Sequence, residues 1–185
     1  MTVTTLDNNT ALVVIDLQKG VVGFATAHPI DKVLTSVMAL VAAFRRRGLP
    51  VVLVNATGIA PGRTEQNRKL DGLPTDWADL IPQLNVQPSD LLITKRTWGA
   101  FTNTNLEAQL RAMRVTQLVI LGIATSMGVE STARHAYELG FNITLALDAM
   151  TDLSLEAHDH SVAHIFPRLG ETGSTQEIIG LVDRL

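Results

Sequence analysis

Apolar runs of strand length alternate along this chain with longer segments in which apolar residues recur every three or four positions. The first pattern belongs to strands buried on both faces and the second to helices with one apolar side, so together they predict βαβ units around a parallel sheet. Residues 11–17 (ALVVIDL), 50–55 (PVVLVN), 90–95 (DLLITK), 117–123 (QLVILGI) and 141–147 (FNITLAL) read as five strands, and 168–171 as a short sixth. Between them, residues 33–47 place Val33, Val37, Leu40, Val41 and Phe44 on one helical face, which Gly48 terminates. A short helix is expected over 76–84, and a longer one ending near Arg114 is opened by the capping pair Thr104 and Glu107. Residues 127–139, closed by Gly140, and 154–166, ended by Pro167, read as further helices. A second capping pair, Ser174 and Glu177, precedes a last helix over 175–185. Residues 56–73 break the pattern with Gly, Pro and charge; the stretch is too long for an ordinary connection and reads as a functional loop or a mobile one. Without a repeat or a linker, residues 1–185 read as one domain: an α/β fold with a mostly parallel sheet of five to six strands flanked by helices.

Composition narrows the chemistry. The chain has 185 residues, of which 46% are hydrophobic and 18% charged, enough for a sizeable core. The absence of cysteine excludes a disulfide scaffold, a thiolate zinc site, an iron–sulfur cluster and a cysteine nucleophile. A net charge of -3 leaves no basic excess for nucleic acid, and the one basic run, Arg45, Arg46 and Arg47, suits the C-terminal end of a helix. No apolar stretch approaches the roughly 20 residues that span a bilayer, and residues 1–10 lack a signal pattern. The expectation is a cytoplasmic protein with a small-molecule substrate and neither nucleic acid nor membrane as partner.

Parallel α/β sheets place ligands beyond the carboxyl ends of their strands. Those ends here carry Asp16 and Gln18, then Asn55, Lys95 and Arg96, the segment 122–128, and Asp148. Asp16 follows Val, Val and Ile, so burial would raise its pKa toward the range useful for proton transfer. A nearby Lys95 would oppose that shift and could stabilise a developing oxyanion. A strand-end aspartate is equally suited to capping a turn. The third segment, GIATSMGVESTAR from Gly122, joins a strand to a helix through small residues that let backbone N–H groups face a ligand.

With VVIDLQ around Asp16, ITKRTWGAF around Lys95, GIATSMGVESTARHAYELGFNITLALDAMTD from Gly122 and the later EAH and IFPRLGE stretches, the chain resembles the isochorismatase-like hydrolases over nearly its whole length. The resemblance implies a three-layer, Rossmann-like α/β fold. It also implies an Asp, Lys and Cys triad: the first two carry over to Asp16 and Lys95, while the nucleophile position falls on Gly128. A non-proline cis peptide of the family would fall at Ile123-Ala124. Isochorismatases proper likewise have glycine at the cysteine position, because a vinyl ether can be cleaved by protonation and water attack. On that reading Asp16 is the general acid, Lys95 holds it or the developing charge, and Gly128 leaves room for substrate and water. Substrate contacts are expected from Gln18, Ala124, Thr125, Met127, Trp98 and Phe101. Those isochorismatases carry tyrosine where Ala124 stands and glutamine near Asn55 and Ala56, and the loop here looks more like the amidase branch with its cysteine replaced.

Alternatives stand beside this reading. Thr125, Ser126 and Ser131 are hydroxyls near the nucleophile position, but no histidine within the matched motifs is placed to activate them; Thr125 and Ser126 also suit a helix cap. His160 and His164 are four apart, with His158 and Asp159 alongside, yet no H-E-x-x-H motif is present, and surface or packing histidines are expected. The metal-binding Asp-x-His of nicotinamidase-type members is replaced by Asn55-Ala56-Thr57, so neither metal nor other cofactor is expected. Trp98 and Phe101 suit either a pocket wall or the core, with Phe101 the better placed of the two to face the pocket. Arg63, Arg68 and Lys69 suit a carboxylate-binding lid or a solvated loop, as does Arg96. His28-Pro29 reads as a helix-entry turn. The resemblance further implies a homodimer or homotetramer. Three functions remain: vinyl-ether or related C–O cleavage, amidase-type C–N hydrolysis through activated water, and a catalytically silent binding or interaction protein.

Overall fold

The computed structural model describes residues 2–24, 26–66 and 72–185. Six strands form one parallel sheet in the order β3-β2-β1-β4-β5-β6: β1 Thr10–Ile15, β2 Val51–Ala56, β3 Leu91–Lys95, β4 Gln117–Ile123, β5 Asn142–Thr151 and β6 Glu171–Gly173. The helices are α1 Lys19–Val22, α2 Ile30–Arg46, α3 Leu106–Ala112, α4 Glu130–Glu138, α5 Leu155–His160 and α6 Thr175–Val182. Period-two alternation sorts β1 between two cores. Leu12 and Val14 pack with Val33, Val37, Leu40 and Phe44 of α2, while Ala11, Val13 and Ile15 pack with Leu106 and Leu110 of α3 and Ala133 of α4. The result is the three-layer, Rossmann-like arrangement expected.

Chain order reverses between β1 and β4, so the ends of these two strands border the crevice where such sheets bind ligands. Their contact is close. Gly122, at φ 122°, leaves no room for a side chain, since a Cβ would fall 2.1 Å from the Ile15 carbonyl oxygen. The peptide bond Ile123-Ala124 that follows is cis, at the position expected.

Four elements depart from expectation. Residues 76–84 form turns with a single 3-10 turn at Pro82–Leu84 in place of a helix. The short α1 was not anticipated. The Thr104/Glu107 capping box does not form: the Thr104 hydroxyl donates to Ala100 O at 2.6 Å and accepts from Leu106 N, and the helix starts one residue late behind Asn105. β5 runs to Thr151, past a register shift in which Ile120 pairs with Leu145 but Gly122 with Met150. Asp148 therefore lies inside the strand and binds Thr175 N and Oγ1 at 2.7 and 2.8 Å, capping α6 rather than joining the crevice.

Candidate active site

Asp16 directly follows β1 with φ +52°, a left-handed conformation that costs a residue other than glycine on the order of 1 kcal/mol. Lys95 ends β3, two strands away, or about 10 Å at the usual strand spacing. Its long side chain crosses the end of β2 to reach Asp16 Oδ2 at 2.7 Å. The ammonium also donates to the carbonyls of Thr97 at 3.2 Å and Trp98 at 2.9 Å, so all three of its protons have acceptors within the protein. Both side chains are buried.

Asp16 Oδ1 is buried and, among the described residues, has no hydrogen-bond partner. Burial pushes the Asp16 pKa up to about 6, against the opposing pull of the Lys95 charge and hydrogen bond. The carboxyl is thus held by one oxygen, carries the other unpartnered, and titrates close to neutrality. Gly128 lies against it. A Cβ at that position would stand 3.2 Å from Asp16 Oδ2 and 2.9 Å from Ile15 Cγ2.

Thr125–Val129 form one π-helical turn ahead of α4. Beside them opens a cavity of about 1350 Å³ whose wall includes Trp98, Thr102, Met127, Ser131, Asp152 and Arg63. Asp16 and Lys95 are set back from that wall. Trp98, 55% exposed, and Met127 are on it, whereas Phe101 is buried against Phe141 and His135, which reverses the expectation that Phe101 rather than Trp98 faces the pocket. Ala124 is buried beside the cis bond. Gln18 is wholly buried and pairs with the Ala56 backbone through both ends of its carboxamide, at 2.8 and 3.0 Å, clamping the end of β2 to that of β1. Asn55 bonds Ala78 O and the Thr94 hydroxyl. Arg96 packs over Gly58, and Arg68 and Lys69 lie outside the described residues.

Two residues escaped sequence reasoning. Asp152, just past the true end of β5, takes the crevice position expected of Asp148: its Oδ2 accepts from Ser126 N at 2.7 Å and its Oδ1 from Leu153 N at 2.7 Å. The continuation of apolar and β-branched residues to Thr151 was the available signal. His158 is buried with Nδ1 2.8 Å from Thr125 Oγ1, which corrects the expectation that no histidine approaches the loop hydroxyls. Thr125 is itself completely buried, facing the ring rather than the cavity. His160 and His164 remain exposed, with ring centroids 5.2 Å apart. Among the described residues no three His, Asp or Glu side chains converge as metal ligands, and no helix is long and apolar enough to cross a membrane.

An isochorismatase domain model matches residues 10–177. The chain is 43% identical over 177 residues to the uncharacterized isochorismatase family protein YecD of Escherichia coli O157:H7, covering 92% of this chain and 94% of that protein. It is 31% identical over 162 residues to the ureidoacrylate amidohydrolase RutB of Pantoea ananatis, covering 71% and 65% of the two chains. The solved structure of an isochorismatase family protein from Burkholderia thailandensis aligns with a TM-score of 0.92 at 36% identity, covering 97% of this chain and 98% of that one.

Proposed function

The chain belongs to the isochorismatase family of hydrolases, and from that premise we propose that it hydrolyses a small molecule by proton transfer at Asp16, without a covalent intermediate, with a vinyl ether as the favoured substrate. The observation that carries this reading is the unpartnered, buried Oδ1 of a carboxyl whose pKa is raised to about 6. Near neutrality a useful fraction of Asp16 is protonated, and a proton on Oδ1 has, among the described residues, no acceptor to compete with a substrate. Asp16 donates that proton to the terminal carbon of the enol ether, leaving an oxocarbenium ion. Water adds to the cationic carbon and loses a proton, the hemiketal collapses to a ketone and an alcohol, and the carboxylate is reprotonated. Lys95, its three protons already bonded, holds Oδ2 and so fixes which oxygen reacts. Gly128 contributes the space that a side chain would take from Asp16 and from water.

The amidohydrolase relative supports a second reading, in which ionised Asp16 withdraws a proton from water that attacks a C–N carbonyl. The two demand opposite protonation states. With isochorismate or an analogue, general acid catalysis releases pyruvate at a rate that falls as pH rises through about 6, and Asp16→Asn abolishes it. Amide or ureido hydrolysis at a rate that rises through the same pH supports the second reading instead. Pyruvate release that survives Asp16→Asn removes the assigned acid. No turnover of any ester, amide or vinyl ether, with a ligand-induced rise in Tm, identifies a binding protein.

A further inference from the structure

The turn that carries Gly128 is gripped at two successive residues by the β5–α5 corner. Ser126 N donates to Asp152 Oδ2, and Asp152 is itself fixed because its Oδ1 accepts from Leu153 N and Ser154 N at 2.7 and 3.3 Å. Thr125 Oγ1 meets His158 Nδ1 at 2.8 Å. The direction of this second bond follows from burial. Thr125 has no exposed surface, and Nδ1 is the acceptor its hydroxyl proton reaches. If Nδ1 carried the ring proton, it would donate to Oγ1 and strand the hydroxyl proton in the interior, at a cost typical of a buried unsatisfied donor. The structure therefore favours a neutral His158 with its proton on Nε2.

The surroundings reinforce the neutral form. The His28 ring stands edge-on to His158, centroids 4.6 Å apart, and its Nδ1 lies 3.0 Å from Thr151 Oγ1. The charged groups facing His158 are His28 from the segment before α2, Asp152 from the end of β5 and Asp159 from its own helix. Glu130, at the start of α4, is engaged by Ser161 and Arg134. Burial and the His28 charge hold the His158 pKa below the usual histidine value, outweighing the two aspartates. When a proton does bind at Nδ1, the ring donates to Thr125 Oγ1 and the buried hydroxyl proton loses its acceptor.

We propose that His158 is a positioning residue with a built-in acid response: its neutral imidazole holds Thr125, and through it the Gly128 turn, against Asp16, and protonation at Nδ1, by stranding the Thr125 hydroxyl proton, loosens the turn. Nothing in the hydrolytic chemistry assigns His158 a role. The consequence for turnover rests on the proposed hydrolase reading, but the consequence for the turn does not.

Imidazole and backbone-amide NMR over about pH 8 to about pH 5 tests it directly. The expected result is an Nε2–H tautomer for His158 at the upper end and amide signals of residues 124–129 that move with the His158 titration. His158→Asn, whose Oδ1 can accept the same hydroxyl, should keep those signals in place at neutral pH and remove the component of their pH dependence that follows His158. His158→Phe, which keeps the ring and loses the acceptor, should displace them at every pH. An Nδ1–H tautomer, or loop amides that titrate identically in the native protein and His158→Asn, overturns the proposal. If no substrate is turned over by any variant, the hydrolase reading fails while these spectra still decide the role of His158.

Discussion

Asp16 and Lys95 form a buried pair whose two members are unequally served. The lysine has three acceptors and the aspartate one donor, so removing either side chain leaves a different problem behind. In Lys95→Met the carboxylate stays buried with no cation. Loss of one partner of a buried pair costs about 3–5 kcal/mol, and unfolding by urea near neutral pH should show it. The two lowering influences on Asp16 both come from Lys95, so the carboxyl pKa must rise above its native value of about 6 in this variant. A neutral carboxyl needs no cation, so the stability loss should shrink in acid; a loss independent of pH would show that the lysine acts through packing alone. The native pair has its own signature. Because the folded pKa of Asp16 lies above the ordinary aspartate value of 3.8, the folded form binds the proton more tightly. Stability from this group is therefore greatest below about pH 4 and is lost as pH rises toward 6, a change of about 3 kcal/mol. At Gly128 the limit is steric. A methyl group there presses on Ile15 and Asp16, and Gly128→Ala should cost about 1–3 kcal/mol in a urea titration, as overpacked cores do.

Two capping pairs with the same spacing in sequence behave differently as elements. Ser174 and Glu177 form a reciprocal box at α6, with Ser174 N donating to Glu177 Oε2 at 2.8 Å, because Ser174 directly precedes the helix. At Thr104 the hydroxyl is drawn to the Ala100 carbonyl, supplied by a turn that no local motif specifies. Sequence spacing fixes which side chains can cap; competing acceptors from the preceding turn decide which do. The α6 start is doubly held, since Asp148 also binds Thr175 through two hydrogen bonds. Ser174→Ala should therefore lower stability by about 1 kcal/mol, the usual value of a cap. Asp148→Ala, which leaves the Thr175 donors unserved, should cost about 1–2 kcal/mol more than an exposed aspartate elsewhere. Equal, negligible effects in thermal unfolding would show that α6 is held by its packing on α2 and β5 alone.

At the scale of the molecule, what was legible in the sequence was the set of strand ends and their residues. Asp16, Lys95 and the 122–128 segment were readable because each closes an apolar run, and five strands because those runs are distinct; the sixth, expected at 168–171 without such a run, lies at Glu171–Gly173. Strand order was not readable, although it decides that Lys95 must reach across β2 while the Gly128 turn adjoins Asp16 directly. His158 and Asp152 were missed for the same reason. Their partners, Thr125 and Ser126, lie 33 and 26 residues away, and only the pairing of β4 with β5 beyond the register shift brings the two corners together. That arrangement couples two titrations in one crevice. With Asp16 as the acid, turnover weakens as pH rises through about 6. With His158 holding the turn, turnover also weakens in acid, because the folded state resists its protonation and the hold is present only above its depressed pKa. The rate should thus pass through a maximum on the acid side of neutrality, and the same proton that loosens the turn should cost stability as pH falls below about 6.5. In His158→Asn the alkaline limb should remain while the acid limb disappears. A profile that keeps both limbs in this variant would place the acid limb elsewhere, and one that loses both would show that the turn and Asp16 cannot be separated.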